Sequence, residues 1–226
     1  MPTGAFKVIV FDAVGTLIYP EPSVATVYAS VGRRFGSRRT EAVVATRFRD
    51  VFRDVERRDR DGDQRTSEHR EYARWQEIVR RVLDDVPDHS ASFAELFDHF
   101  ARPDSWRVFD DVPTTLDELA ARGVRLAIAS NFDRRLFEIA RQLKPLDRCN
   151  PILVSSQIGY RKPHVRFFEA VASAIAVPVR DVLFVGDDPA NDSAGAATAG
   201  FRTRLISRTR LTPRDDSISS LTQLLE

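Results

Sequence analysis

Cysteine is almost absent from this chain: its 226 residues hold only Cys149, so no disulfide can form within it, and a cytoplasmic setting is expected. Apolar runs of the roughly 20 residues needed to span a bilayer are missing as well. The amino terminus passes straight into Phe6-Lys7-Val8-Ile9-Val10-Phe11 without a signal-peptide pattern, and no membrane role is expected. Lysine is scarce too. Lys7, Lys144 and Lys162 are the only three among 34 basic residues, the other 31 being arginine, whose planar fork suits carboxylate and phosphate, although a general composition bias explains the excess as simply. No charge of one sign is in surplus. The formal net charge is +1, with acids interspersed among the bases, so there is no basic stripe to track a nucleic-acid backbone and no nucleic-acid partner is expected. His69, His89, His99 and His164 lack metal-ligand spacing and receive no role.

What is present suits a folded soluble enzyme: 42% hydrophobic and 30% charged residues, in a chain long enough for one domain with a sizeable insertion. Short apolar runs bounded by turn signals occur at residues 6–11, 124–129, 152–154, 182–185 and 203–206, and read as buried parallel strands. Helical patterns at 133–143, 165–176 and 189–199 separate the later ones. That alternation predicts an α/β fold with a doubly wound parallel sheet and right-handed crossovers. Between the first strand and the rest, residues 22–103 show helical periodicity and no convincing strand. Val24, Val27, Tyr28 and Val31 share one face, Val43, Val44 and Phe48 a second, Tyr72, Trp75, Ile78, Val79 and Val82 a third, and Phe93, Leu96, Phe97 and Phe100 a fourth. A four-helix bundle at 21–103 is expected, inserted into a core made of 1–20 and 104–226, with the charge-dense stretch 57–67 read as a loop.

Four strand-end elements carry chemistry. Asp12 follows the first strand and precedes Ala13-Val14-Gly15-Thr16, at the carboxyl edge where open α/β sheets bind ligands. Gly15 permits a sharp turn and Thr16 can hydrogen-bond it; taken alone, an aspartate there is more often a helix cap or turn former. Ser130 and Asn131 end a second strand, where Ser130 can hold a phosphoryl oxygen or merely cap the next helix. Lys162 stands directly before Pro163, able to neutralise a carboxylate and a phosphate together. Last, Gly186 is followed by Asp187, Asp188 and, four residues beyond, Asp192. Crowding like charges at a strand end is costly without a counter-ion, and a hard cation such as Mg²⁺ takes a few carboxylates and keeps several waters.

Together, in this order, the four elements resemble the motifs of the haloacid dehalogenase-like hydrolase superfamily, through a Rossmann-like core, with the helical insertion resembling the cap that follows the nucleophile strand. The run Ser130-Asn131-Phe132-Asp133-Arg134-Arg135 also resembles a eukaryotic branch of haloacid dehalogenase-like hydrolase domain proteins. The resemblance implies a Mg²⁺-dependent hydrolase acting on a phosphorylated small molecule. Asp12 would attack phosphorus and become an aspartyl phosphate. Ser130, Asn131, Lys162, Gly15 and Thr16 would surround the phosphoryl group, and Lys162 would balance its charge. Asp12, the Val14 carbonyl and Asp187 would hold the metal, with Asp188 or Asp192 behind them. The chain departs from the pattern at Val14, where family phosphatases usually carry a second aspartate as acid and base. Loss of general acid–base catalysis, worth roughly 10²–10⁴ in rate, implies weak turnover of alkyl phosphates and less penalty for aryl or acyl phosphates. Two other outcomes stay open: a phosphate- or metabolite-binding regulatory protein, and a carbon-centred hydrolase like the haloacid dehalogenases, which lack the metal-binding acid. A phosphonoacetaldehyde hydrolase would need a lysine in the cap, which holds none. The substrate and the oligomeric state are not legible in the sequence.

Overall fold

The apolar run Val8–Phe11 (β1) becomes the central strand of a sheet. In the computed structural model, which describes residues 6–208 and 217–226, every residue of β1 is buried. It pairs in parallel with Arg125–Ser130 (β4) on one side and Val182–Gly186 (β6) on the other. Ile152–Val154 (β5) continues the sheet beyond β4, and Arg202–Ile206 (β7) and Ser217–Ile218 (β8) continue it beyond β6. The order is β5-β4-β1-β6-β7-β8, all parallel, as the alternating pattern predicts. The near-continuous apolar runs of the inner strands follow from cover on both faces.

Alternate residues of each strand serve the two layers. Ile9, Phe11, Leu126, Ile128, Leu183 and Val185 face a core with Val112–Ala121 (α5) and Arg135–Gln142 (α6), through Leu116, Leu119, Leu136 and Ile139. Val8, Val10, Ala127, Ala129, Val182 and Phe184 face Val165–Ile175 (α8), through Phe167, Phe168, Val171 and Ile175. Because Phe11 is level with Ile128 and with Val185, the residues that leave β1, β4 and β6 emerge side by side at one edge. The chain order reverses across β1, which makes that edge the crevice in which such sheets bind ligands.

Four helices lie between β1 and the rest of the sheet: Val24–Arg34 (α1), Glu41–Asp61 (α2), Glu68–Val82 (α3) and His89–His99 (α4). Ser23, Thr40, Ser67 and Asp88 cap them, each side chain accepting from the backbone N–H three residues on. The apolar stripes meet in their own core, around Val27, Tyr28, Val44, Val55, Ile78 and Leu96.

The structure corrects three details of the sequence reading. Residues 57–61 belong to α2 rather than to a loop, and two of their charges are paired across to α3: Arg58 bonds Glu77 at 2.7 and 2.8 Å, and Asp59 accepts from Arg74 at 2.6 Å. A pair of three-residue antiparallel strands, Ile18–Pro20 (β2) and Trp106–Val108 (β3), joins the chain where the helical insertion leaves and returns; such short segments carry no periodicity to read. The expected helix at 189–199 opens as a π-helical stretch, Pro189–Ala194, before Gly195–Thr198 (α9). Among the described residues no helix is long and apolar enough to cross a membrane.

Candidate active site

The site forms where β1, β4 and β6 end. The Asp12 N–H donates to the Val185 carbonyl at 2.8 Å, fixing the first residue past β1 against β6. The turn that follows needs glycine at residue 15, which has φ +88°, and a Cβ there would lie 2.4 Å from the Asp187 carboxylate. Thr16, fully buried, donates to Asp187 Oδ1 at 3.3 Å, and its carbonyl accepts from Arg208, itself paired with Asp111 at 3.0 Å. The Val14 carbonyl accepts no hydrogen bond among the described residues, so it is free to serve as a ligand.

Lys162 reaches the same point from the loop before α8. Asn131 grips its backbone from both sides, accepting from the Lys162 N–H at 2.7 Å and donating to its carbonyl at 3.1 Å. The Lys162 Nζ then donates to Asp12 Oδ1 and Asp192 Oδ1, both at 2.6 Å, and to the Ala129 carbonyl at 3.2 Å. Its three protons are all used. Burial alone would favour the neutral amine, but Asp12 and Asp192 outweigh it and hold the ammonium above its ordinary range. Ser130 is 3% exposed at the end of β4 and lines the cleft, and its hydroxyl has no partner among the described residues.

Asp12, Asp187 and Asp192 offer carboxylate oxygens that all lie within 4.8 Å of one another. With Lys162 the group carries a net charge of −2 when all are ionised. Asp187 opens into the cleft, yet the walls that limit its hydration, and then the charges of Asp12 and Asp192, push it up to about 7. Burial and the Asp12 carboxylate push Asp192 up to about 6 against the pull of Lys162. A hard cation relieves that repulsion, and an all-oxygen set of three carboxylates and a carbonyl fits Mg²⁺. Asp188 lines the same cleft, but its Oδ1 accepts from the Ala190 and Asn191 N–H groups at 2.8 Å and caps the π-helical turn. Asp192 returns through that turn, and a Cβ on Gly186 would meet its carboxylate at 2.2 Å.

A cleft of about 770 Å³ lies over these groups. Its other wall is α2, from which Arg49, Arg53, Arg57 and Arg60 line it. Sequence reasoning passed over these four; their i, i+4, i+8, i+11 spacing on one helical face was the available signal. Arg33, Arg34, Arg38 and Arg39, a second basic group of the helical insertion, do not line the cleft; Arg34 pairs with Glu95, and Arg39 bonds Asp85 at 2.7 Å. Arg161, beside Lys162, is buried in an ionic cluster with Glu71 and Glu56, which Arg74 and Thr66 join.

Comparisons with known proteins bear on the family and the fold. A family model described as haloacid dehalogenase-like hydrolase matches residues 6–200. Haloacid dehalogenase-like hydrolase domain-containing protein 3 of Mus musculus is 28% identical over 97% of this chain and 92% of its own. Phosphoserine phosphatase of Thermus thermophilus is 26% identical over 63% of this chain and 57% of its own. Among solved structures, L-2-haloacid dehalogenase from Xanthobacter autotrophicus superposes with a TM-score of 0.75 at 19% identity, covering 97% of each chain, a likeness of fold.

Proposed function

We propose, from the premise that this chain belongs to the haloacid dehalogenase-like hydrolase family, that it hydrolyses a phosphate ester or related phosphoryl group of a small molecule in a Mg²⁺-dependent reaction. The observation that carries this reading is the trio of Asp12, Asp187 and Asp192, with oxygens within 4.8 Å of one another, two of which, Asp12 and Asp192, are bridged by Lys162. Phosphatases among its relatives support it. Residues 1–20 and 104–226 serve as the catalytic core and 21–103 as its cap, residues 1–5 and 209–216 lying outside the described part.

Asp12, Asp187, Asp192 and the Val14 carbonyl would hold the ion, and we assign Asp188 to capping. When bound, Mg²⁺ supplies positive charge that neutralises and orients the phosphoryl oxygens. Lys162 fixes Asp12 Oδ1, which leaves Oδ2 to attack phosphorus. A P–O bond forms to Asp12 as the bond to the leaving oxygen breaks, and water then hydrolyses the acyl phosphate. The free Ser130 hydroxyl binds the phosphoryl group, Lys162 offsets its charge from beside Asp12, Asn131 keeps Lys162 in place, and Gly15 and Thr16 shape the turn around it. The arginines of α2 draw anions into the cleft.

Val14 is the point of weakness, since valine can neither protonate a leaving oxygen nor activate water. It favours a second reading, in which the pocket binds a phosphorylated metabolite without turning it over. The acid trio disfavours a third, metal-free attack on carbon. Turnover of p-nitrophenyl phosphate with and without Mg²⁺ separates them. Metal-dependent activity lost at least about 10³-fold in Asp12→Asn is expected; tight metabolite binding with no turnover points to the second reading, and chloride release without metal to the third.

A further inference from the structure

Val14 also lines a second cavity, of about 340 Å³, between the helical insertion and the sheet. Val14, Phe48, Phe52, Trp75 and Asn131 belong to the walls of both this cavity and the cleft over Asp12, so the two spaces meet at the residue that replaces the expected acid. Nine of the sixteen residues lining it are aromatic. The one charged wall, Arg135, is already committed: it bonds Asp133 through two contacts of 2.8 Å and stacks over Phe97 at 3.8 Å. Tyr28 supplies the only hydroxyl in the lining; the residue is 2% exposed and its hydroxyl has no hydrogen-bond partner among the described residues. An apolar space of about 150 Å³ takes up benzene. The space here is more than twice that size.

We propose that this cavity receives the leaving group of the substrate, and that the substrate is an aryl phosphate of one or two rings carrying a hydrogen-bond acceptor for Tyr28. The inference rests on the phosphatase reading above and narrows it to a substrate class. Rings stack well against aromatic walls in offset or edge-on contacts. When the P–O bond to an aryl oxygen breaks, the electron pair delocalises into the ring and the oxygen leaves as an aryl oxide, which water protonates afterwards. That departure has little need of the acid that Val14 lacks, so the missing proton donor and the aromatic chamber beside it select the same chemistry.

Both tryptophans of the chain, Trp75 and Trp106, line the cavity and report on its occupancy. With Mg²⁺ present, 1-naphthylphosphonate and methylphosphonate are titrated against tryptophan emission, and acetyl phosphate and 1-naphthyl phosphate are assayed for turnover. The naphthyl compound should bind at least about tenfold more tightly than the methyl one and shift the emission. Val24→Phe, which places a ring in the cavity, should cost it several times more affinity than it costs methylphosphonate. Equal affinities, or naphthyl binding that leaves emission unchanged and is indifferent to Val24→Phe, overturns the aryl assignment even if acetyl phosphate is turned over. Aryl preference with no turnover of either phosphate leaves the cavity assignment standing and overturns the hydrolysis reading instead.

Discussion

Val14→Asp restores a carboxyl group at the turn beside Asp12, and its effect separates the two halves of the catalytic argument. Turnover of alkyl phosphates should rise by up to about 10²-fold while that of p-nitrophenyl phosphate changes several-fold at most, because only the poor leaving group needs the proton. Equal gains on both would refute leaving-group protonation as the missing function. Gly186→Ala probes the metal side. A methyl group 2.2 Å from the Asp192 carboxylate must displace it, so the variant should lose about 1–3 kcal/mol of stability and most of its Mg²⁺-induced rise in Tm, read by thermal denaturation with and without the ion. Several of these residues were legible in the sequence, because Asp12, Ser130 and Asp187 each follow an apolar run and strand ends converge in this class of sheet. The choice between Asp188 and Asp192 was not. It depends on the π-helical turn, which points one carboxylate at its own backbone and brings the other back to Lys162.

At the scale of elements, α2 and α3 are tied to the Lys162 loop by buried charge. Arg161 and Glu71 are 6% and 2% exposed, Thr66 donates to Glu71 at 2.6 Å, and Arg161 holds Glu56 at 3.0 Å. Burial would raise the Glu71 carboxyl, but Arg161 and Arg74 outweigh it and hold it below its usual range. Breaking one member of such a cluster leaves its partner charged and buried, so Glu71→Gln should cost about 3–5 kcal/mol in urea denaturation. Because Arg161 precedes Lys162, kcat should fall as well. A stability loss below about 1 kcal/mol would mean that water already screens the cluster. The four helices were legible as apolar stripes, whereas this cluster was hidden: its members come from residues 56 to 161, and long-range ion pairs leave no periodic trace. The strand pair β2 and β3 escaped for the opposite reason, being too short for any period to show.

For the molecule as a whole, the acid trio makes stability and metal binding depend on pH. Without metal, Asp187 and Asp192 hold protons with pKa values of about 7 and 6, against 3.8 for an ordinary aspartate. Between about pH 4 and 7 the folded state therefore binds protons that the unfolded chain has released, so stability falls as pH rises through that window and levels off above it. Mg²⁺ competes with those protons. At an ion concentration of about 100 Kd, the rise in Tm should be about 5–10 °C at pH 8 and clearly smaller at about pH 5.5; a rise independent of pH would place the ion elsewhere.

The position of β1 has a consequence for synthesis on the ribosome. Its two neighbours in the sheet begin at Arg125 and Val182, so the segment Val8-Ile9-Val10-Phe11 is made well before either and finds no native pairing until β4 has been translated. The helices of the insertion need only one another and can condense in the meantime. Throughout that interval the nascent chain displays an apolar four-residue stretch that the folded protein buries completely, with its strand edges unpaired.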